Sequence, residues 1–175
     1  MSDTPEFSRP ADIRGITAEP VELVADEAER AALAKRFGLV AINRLEAQLS
    51  LEAAGDEIGA SGTMKADIVQ SCAVSGDDLP AEIREDIAFR FVPLASLEAN
   101  EEDEEIELDE DDLDEIGYSG TQFDLGEAVA QSLALAIDPY AEGPGADAVR
   151  REQGLIEEGE GSGPLADALR GLKGE

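Results

Sequence analysis

The sequence predicts an α+β domain: a mostly antiparallel sheet, curved toward a barrel, with two helices packed against it. Three observations carry this. Two segments alternate apolar and polar residues around a Gly55-Asp56 turn, as a hairpin does. Two other segments, 26–37 and 124–137, repeat apolar residues at helical spacing behind capping signals. An acidic run separates the strand-rich half from the second helix and a Gly/Pro-rich end.

In chain order, residues 1–10 read as a flexible lead-in ending at Arg9-Pro10. Residues 11–24 are strand-like through Ile13, Ile16, Val21 and Leu23, but Gly15 and Pro20 interrupt them and Pro20 suits an edge or a break. Asp26 to Phe37 reads as a helix. Asp26 can cap it, Glu29 completes a capping box, and Gly38 stops it. Its expected apolar face is Ala28, Ala31, Ala32, Leu33 and Phe37. From Leu45 the chain alternates cleanly, with Leu45, Ala47, Leu49 and Leu51 on one face. After the turn, Glu57 to Cys72 returns with Met64, Ala66, Ile68 and Gln70 on one side, weakened by Gly59 and Gly62. Ser75 to Asp78 is a second turn. Glu82 to Val92 carries Ile83, Ile87, Phe89 and Phe91 on one face; residues 80–86 also suit a helix, but the Phe89/Phe91 alternation argues for a strand.

Residues 98–115 are dense in Asp and Glu, including Glu104 and Asp111, and contain no basic residue. Such repulsion predicts a disordered or extended loop. Its apolar punctuation, Ile106, Leu108, Leu113 and Ile116, suits either loop anchors or a short strand ending near Tyr118. Phe123 to Tyr140 is the clearest single element. Asp124 and Glu127 read as a capping box. Leu125, Ala128, Val129, Leu133, Ala136 and Ile137 form one stripe, and Asp138-Pro139 stops the helix. Residues 11–140 are thus expected to form a single domain that includes the acidic loop. Residues 141–175 are expected to be a flexible tail, with 164–173 as a short amphipathic docking candidate.

Composition narrows the function. The net charge is −29 and the sequence pI about 4.1. Such a charge favours solubility and a monomer, and it opposes direct contact with nucleic acid phosphates. A basic protein is the simpler partner. The single cysteine, Cys72, excludes an internal disulfide framework, and the opening MSDTPEFSRP has neither the basic start nor the apolar run of a signal peptide. With no histidine, Ser-His-Asp and Cys-His catalysis is unavailable, and Cys72 has no soft co-ligand for zinc. An EF-hand frame started at Asp109 puts Asp114 where glycine is needed and Gly120 where glutamate is needed. Neither phosphate-loop nor dinucleotide glycine motif occurs. The expectation is no enzyme, no metal and no cofactor.

Three stretches, in order, resemble a known family. Gln70 to Gly76 is similar to its cysteine-bearing turn. Phe123 to Tyr140 resembles its Asp-Leu-led helix, and Pro164 to Lys173 resembles the closing Leu-x-x-Leu-Lys of alphaproteobacterial members. The family is YceD, the large ribosomal RNA accumulation proteins, and the resemblance runs roughly from residue 10 to 173. It implies a cytoplasmic, non-enzymatic protein needed for large-subunit ribosomal RNA to accumulate, linked to ribosome assembly through a neighbouring ribosomal-protein gene. Many members carry Cys-x-x-Cys at the turn. Here Ser75 takes the second position and the later cysteines are missing, so a metal site does not carry over. The resulting expectation is an accessory factor of large-subunit biogenesis that contacts a basic ribosomal or RNA-processing protein. The candidate partner surface is Asp124, Glu127, Gln131, Leu135, Glu104 and Asp111. The alternative is direct RNA binding through a sheet face bearing Arg14, Arg44 and Lys65.

Overall fold

The computed structural model describes residues 5–100 and 114–154. The chain divides into two compact units, one made of Met1–Gln70 and Pro80–Asp138, the other of Ser71–Leu79 and Pro139–Glu175.

The larger unit is the expected α+β fold. Strands β2 (Val21–Val24), β3 (Ala41–Ala54), β4 (Glu57–Ser71), β5 (Asp78–Pro93) and β6 (Asp114–Tyr118) form one sheet in that order. The sheet is open rather than closed, with β2 and β6 at its edges. β2 and β4 both pair antiparallel with β3, whereas β6 runs parallel to β5. A second, two-stranded antiparallel sheet joins β1 (Pro10–Asp12) to β7 (Gln122–Asp124). Helix α1 is Glu27–Phe37, α2 is Leu94–Asn100, α3 is Leu125–Ala136 and α4 is Ala146–Glu152.

The long hairpin forms because its alternation leaves only one face to bury. Leu45, Ala47, Leu49 and Leu51 are buried opposite Ala66, Met64, Gly62 and Ala60. A register shift between Ile42 and Arg44 lets Ile42 and Leu45 both point inward. Gly62 weakens the strand pattern in the sequence, yet it is a requirement of the pairing. A Cβ there would sit 1.8 Å from the Gln48 carbonyl oxygen on β3. Residues 80–86 lie wholly in strand β5. Ile87, Phe89 and Phe91 then enter the core, and Phe91 stacks 4.7 Å from Phe123 between ring centres.

Helix α1 has its capping box as read: Asp26 accepts from the Glu29 N–H and Glu29 from the Asp26 N–H, and Gly38 closes it with φ 67°. Its buried face differs from the expected one. Leu33 and Ala34 go inward, Ala32 and Phe37 are half-buried, and Ala28 and Ala31 face solvent. All five expected residues are small or apolar, so composition could not phase so alanine-rich a helix. Helix α3 buries Leu125, Ala128, Val129, Ala130 and Leu133, with Ala136 half-buried and Ile137 half-buried just beyond its end. Burial of a Leu or Val side chain contributes about 1.5–3 kcal/mol each, so this stripe anchors the helix.

The lead-in is tied down from Phe7 onward, against the expectation for 1–10. Phe7 is fully buried, and the Leu125 N–H donates to the Arg9 carbonyl at 3.1 Å. In the smaller unit, the Cys72 N–H donates to the Asp77 carbonyl at 2.7 Å and the Ala73 N–H to the Ala141 carbonyl at 3.0 Å. Residues 146–152, within the expected flexible tail, form helix α4. The segment 164–173 and most of the acidic run, with Glu104 and Asp111, lie outside the described residues.

Candidate functional site

Asp124 sits where the lead-in meets the start of α3. Its Oδ1 accepts from the Gly126 N–H at 2.9 Å and the Glu127 N–H at 3.1 Å, which caps the helix. The same oxygen accepts from the Arg9 N–H at 2.8 Å, and Oδ2 accepts from the Ser8 hydroxyl at 2.5 Å. This carboxylate therefore fastens the N-terminal segment to the helix as well as capping it. The reciprocal half of the expected capping box is absent. Glu127 instead faces Arg36 on α1, with contacts of 2.8 and 2.9 Å, and receives Gln131 Nε2 at 3.2 Å. That guanidinium holds the Glu127 carboxyl below the usual carboxylate range.

Of the expected partner-surface residues that are described, Asp124 and Glu127 are thus engaged inside the fold. Gln131 and Leu135 remain on the exposed side of α3, and Leu135 is 80% exposed. Leu135 borders a groove between α3 and β5 that the sequence did not reveal, because its walls come from segments about fifty residues apart. Glu85, Asp86, Ile87, Ala88, Asp114, Ser132, Leu135 and Ala136 line it.

The residues of the RNA alternative are largely neutralised. Arg14 forms a double contact with Asp12, and Arg44 contacts Asp67 and Glu46. Lys65 lies directly across from Glu46 in the sheet register. Arg9 with Glu29, Arg36 with Glu127 and Glu6, and Arg90 with Glu115 repeat the pattern. The fold thus pairs most of its described arginines internally and leaves negative charge on its surface.

Cys72 is 4% exposed in the turn of the smaller unit. Its Sγ accepts from the Ser75 N–H and the Gly143 N–H, each at 3.3 Å. The thiol is pulled down to about 6 by the Ser75 side chain first, then by the backbone N–H groups of Ser75, Gly143 and Val74. The Ser75 hydroxyl also lies 2.7 Å from Asp77 Oδ2, so it serves one acceptor at a time. Through these donors the Cys72 sulfur joins the turn to residue 143. Among the described residues, no cluster of three or more acidic or cysteine side chains is arranged to hold a metal ion.

A family model described as "Large ribosomal RNA subunit accumulation protein YceD" matches residues 60–163, more than half of the chain. The chain belongs to the YceD family. The matched span contains the Cys72 turn, β5, the acidic run and all of α3. Residues 10–59 and the closing stretch 164–173 of the resemblance lie outside it. The family description ties the chain to accumulation of the large-subunit ribosomal RNA. No curated protein and no solved structure matches the sequence. Among the described residues no helix is long and apolar enough to cross a membrane.

Proposed function

We propose that the chain is a non-enzymatic accessory factor of large ribosomal subunit biogenesis, acting as a cytoplasmic monomer. It supports ribosomal RNA accumulation by binding a basic ribosomal or RNA-processing protein. The observation that carries the reading is the combination of family membership with a net charge of −29. A basic protein binds RNA phosphates without regard to sequence. An acidic partner lowers that non-specific affinity by competing for the same lysines and arginines. The acidic run 98–115 adds electrostatic steering, which speeds encounter and weakens with salt. Internal pairing of Arg14 and Arg44 makes direct RNA binding the weaker reading.

The test is the ratio of large- to small-subunit ribosomal RNA in cells lacking the gene. The reading expects a lowered ratio, restored by the intact chain. An unchanged ratio during steady growth overturns it.

A further inference from the structure

The groove between α3 and β5 differs from three other depressions among the described residues of the larger unit. It has a volume of about 290 Å3. Its charged lining residues, Glu85, Asp86 and Asp114, are all acidic. By contrast, the groove beside β2 contains Lys65, the one under α1 contains Arg30 and Lys35, and the one beside β1 contains Arg9. None of the three carboxylates forms an ion pair among the described residues, although Asp12, Glu29, Asp67, Glu115 and Glu127 each face an arginine. Asp114 also continues directly from the acidic run. At the centre lies an apolar patch. Leu135 is 80% exposed on one wall, half-buried Ala136 adjoins it, and Ile87 lies beneath, 8% exposed.

Leu135 does not owe its position to the core stripe of α3. It follows buried Leu133 by two residues, which turns it to the opposite side of the helix. A single exposed leucine is ordinary on a protein surface. One set at the lip of a groove whose charged lining, among the described residues, is wholly acidic is a complementary site for a cationic chain.

We propose that this groove is the docking site for a Lys/Arg-rich peptide segment of a partner protein that carries an apolar side chain among its cations. The apolar side chain packs against Leu135, Ala136 and Ile87. The flanking cations meet Glu85, Asp86 and Asp114. The occupant is positively charged because the lining offers three carboxylates without an ion pair among the described residues, and no lysine or arginine lines the groove. It is a protein segment because the apolar patch gives a purchase that a free polyamine or metal ion would not use. The proposal rests on the basic-partner reading above and assigns it a place on the fold.

The experiment is fluorescence anisotropy of the full chain with a fluorescein-labelled Lys-Lys-Leu-Ala-Lys-Lys-Leu-Lys peptide, at about 0.15 M salt to screen the general field. The variants are Leu135→Ala, the pair Glu85→Gln and Asp86→Asn, and a control pair Glu19→Gln and Glu22→Gln. The control removes the same charge from exposed positions elsewhere. Thermal melting checks that each variant stays folded. The expected result is at least about a fivefold loss of affinity for each groove variant, as for a contact at the centre of an interface, with less than about twofold for the control. A Lys-only peptide of the same length should bind more weakly and ignore Leu135→Ala. If the unaltered chain binds the first peptide but groove and control variants weaken it alike, the groove assignment is overturned and the basic-partner reading stands. If the unaltered chain binds neither that peptide nor basic large-subunit proteins, both are overturned.

Discussion

Replacing Asp124 separates a helix cap from a long-range fastener. A cap alone is worth about 1 kcal/mol on removal. The Asp124 carboxylate also accepts from the Arg9 N–H and the Ser8 hydroxyl, more than a hundred residues away in sequence. Each such bond adds on the order of 1 kcal/mol net. Asp124→Ala should therefore cost about 3 kcal/mol, discounted toward 2 where water reaches the half-buried site. In a domain of this size that lowers Tm by roughly 6–10 °C. Asp124→Asn keeps an amide oxygen where Oδ1 sits, so it retains the three N–H contacts; its NH2 replaces Oδ2, so charge assistance is lost and the Ser8 hydroxyl must turn to accept where it now donates. It should cost about 1 kcal/mol or less. Urea unfolding, read at constant slope, measures both. A loss for the Ala variant no larger than the cap value would refute the fastening role. Equal losses for Ala and Asn would refute the assignment of the N–H contacts to one oxygen. If Asp124→Asn folds normally yet abolishes ribosomal RNA accumulation, the carboxylate has a function beyond structure.

Three further outcomes follow from the same geometry. Gly126→Ala brings a Cβ to 2.5 Å from the Phe7 carbonyl oxygen and 2.9 Å from the Arg9 nitrogen. Backbone is not easily displaced, so crowding of about 1–3 kcal/mol outweighs the helix propensity gained, and thermal melting should show a lower Tm; a higher one refutes the close approach. Cys72 should titrate by ultraviolet thiolate absorbance with a midpoint of about 6, against Cys72→Ser as the blank. Because the folded value lies below the unfolded one, near 8.5, the thiolate's contribution to stability is complete above the unfolded value. It is lost as pH falls through the folded value of about 6, so the stability gap between the unaltered chain and Cys72→Ser should widen from pH 6 upward; a midpoint near 8.5 refutes the donor set. Replacing the Asp and Glu residues within 101–113 by Asn and Gln should slow association with basic large-subunit proteins at low salt. Unchanged association rates would remove the steering role.

Local signals carried much of the fold into view. The α1 capping box and the β3–β4 hairpin depend on neighbours within a few residues or on strict alternation, and both appear where the sequence put them. The misses are long-range. Nothing near Phe7 announces that it will be buried, because its packing depends on Gly126, which admits the backbone of the lead-in. Glu127 looks like half a capping box, but Arg36, 91 residues earlier, offers two charge-assisted contacts and takes it. Helix α4 starts at Gly145 without a side-chain cap, so a Gly/Pro-rich stretch hid it. For the candidate surface, Leu135 was legible from the helical wheel. Glu85, Asp86 and Asp114 were not, since their meeting depends on the parallel pairing of β6 with β5.

The most direct test of the account is affinity capture of the tagged full chain from a low-salt lysate, with and without ribonuclease, identifying both protein and RNA. The account predicts that basic large-subunit or RNA-processing proteins remain bound after ribonuclease and are released by raised salt, as charge complementarity requires. Capture of RNA in the absence of such proteins, or loss of every basic protein on ribonuclease treatment, would contradict it.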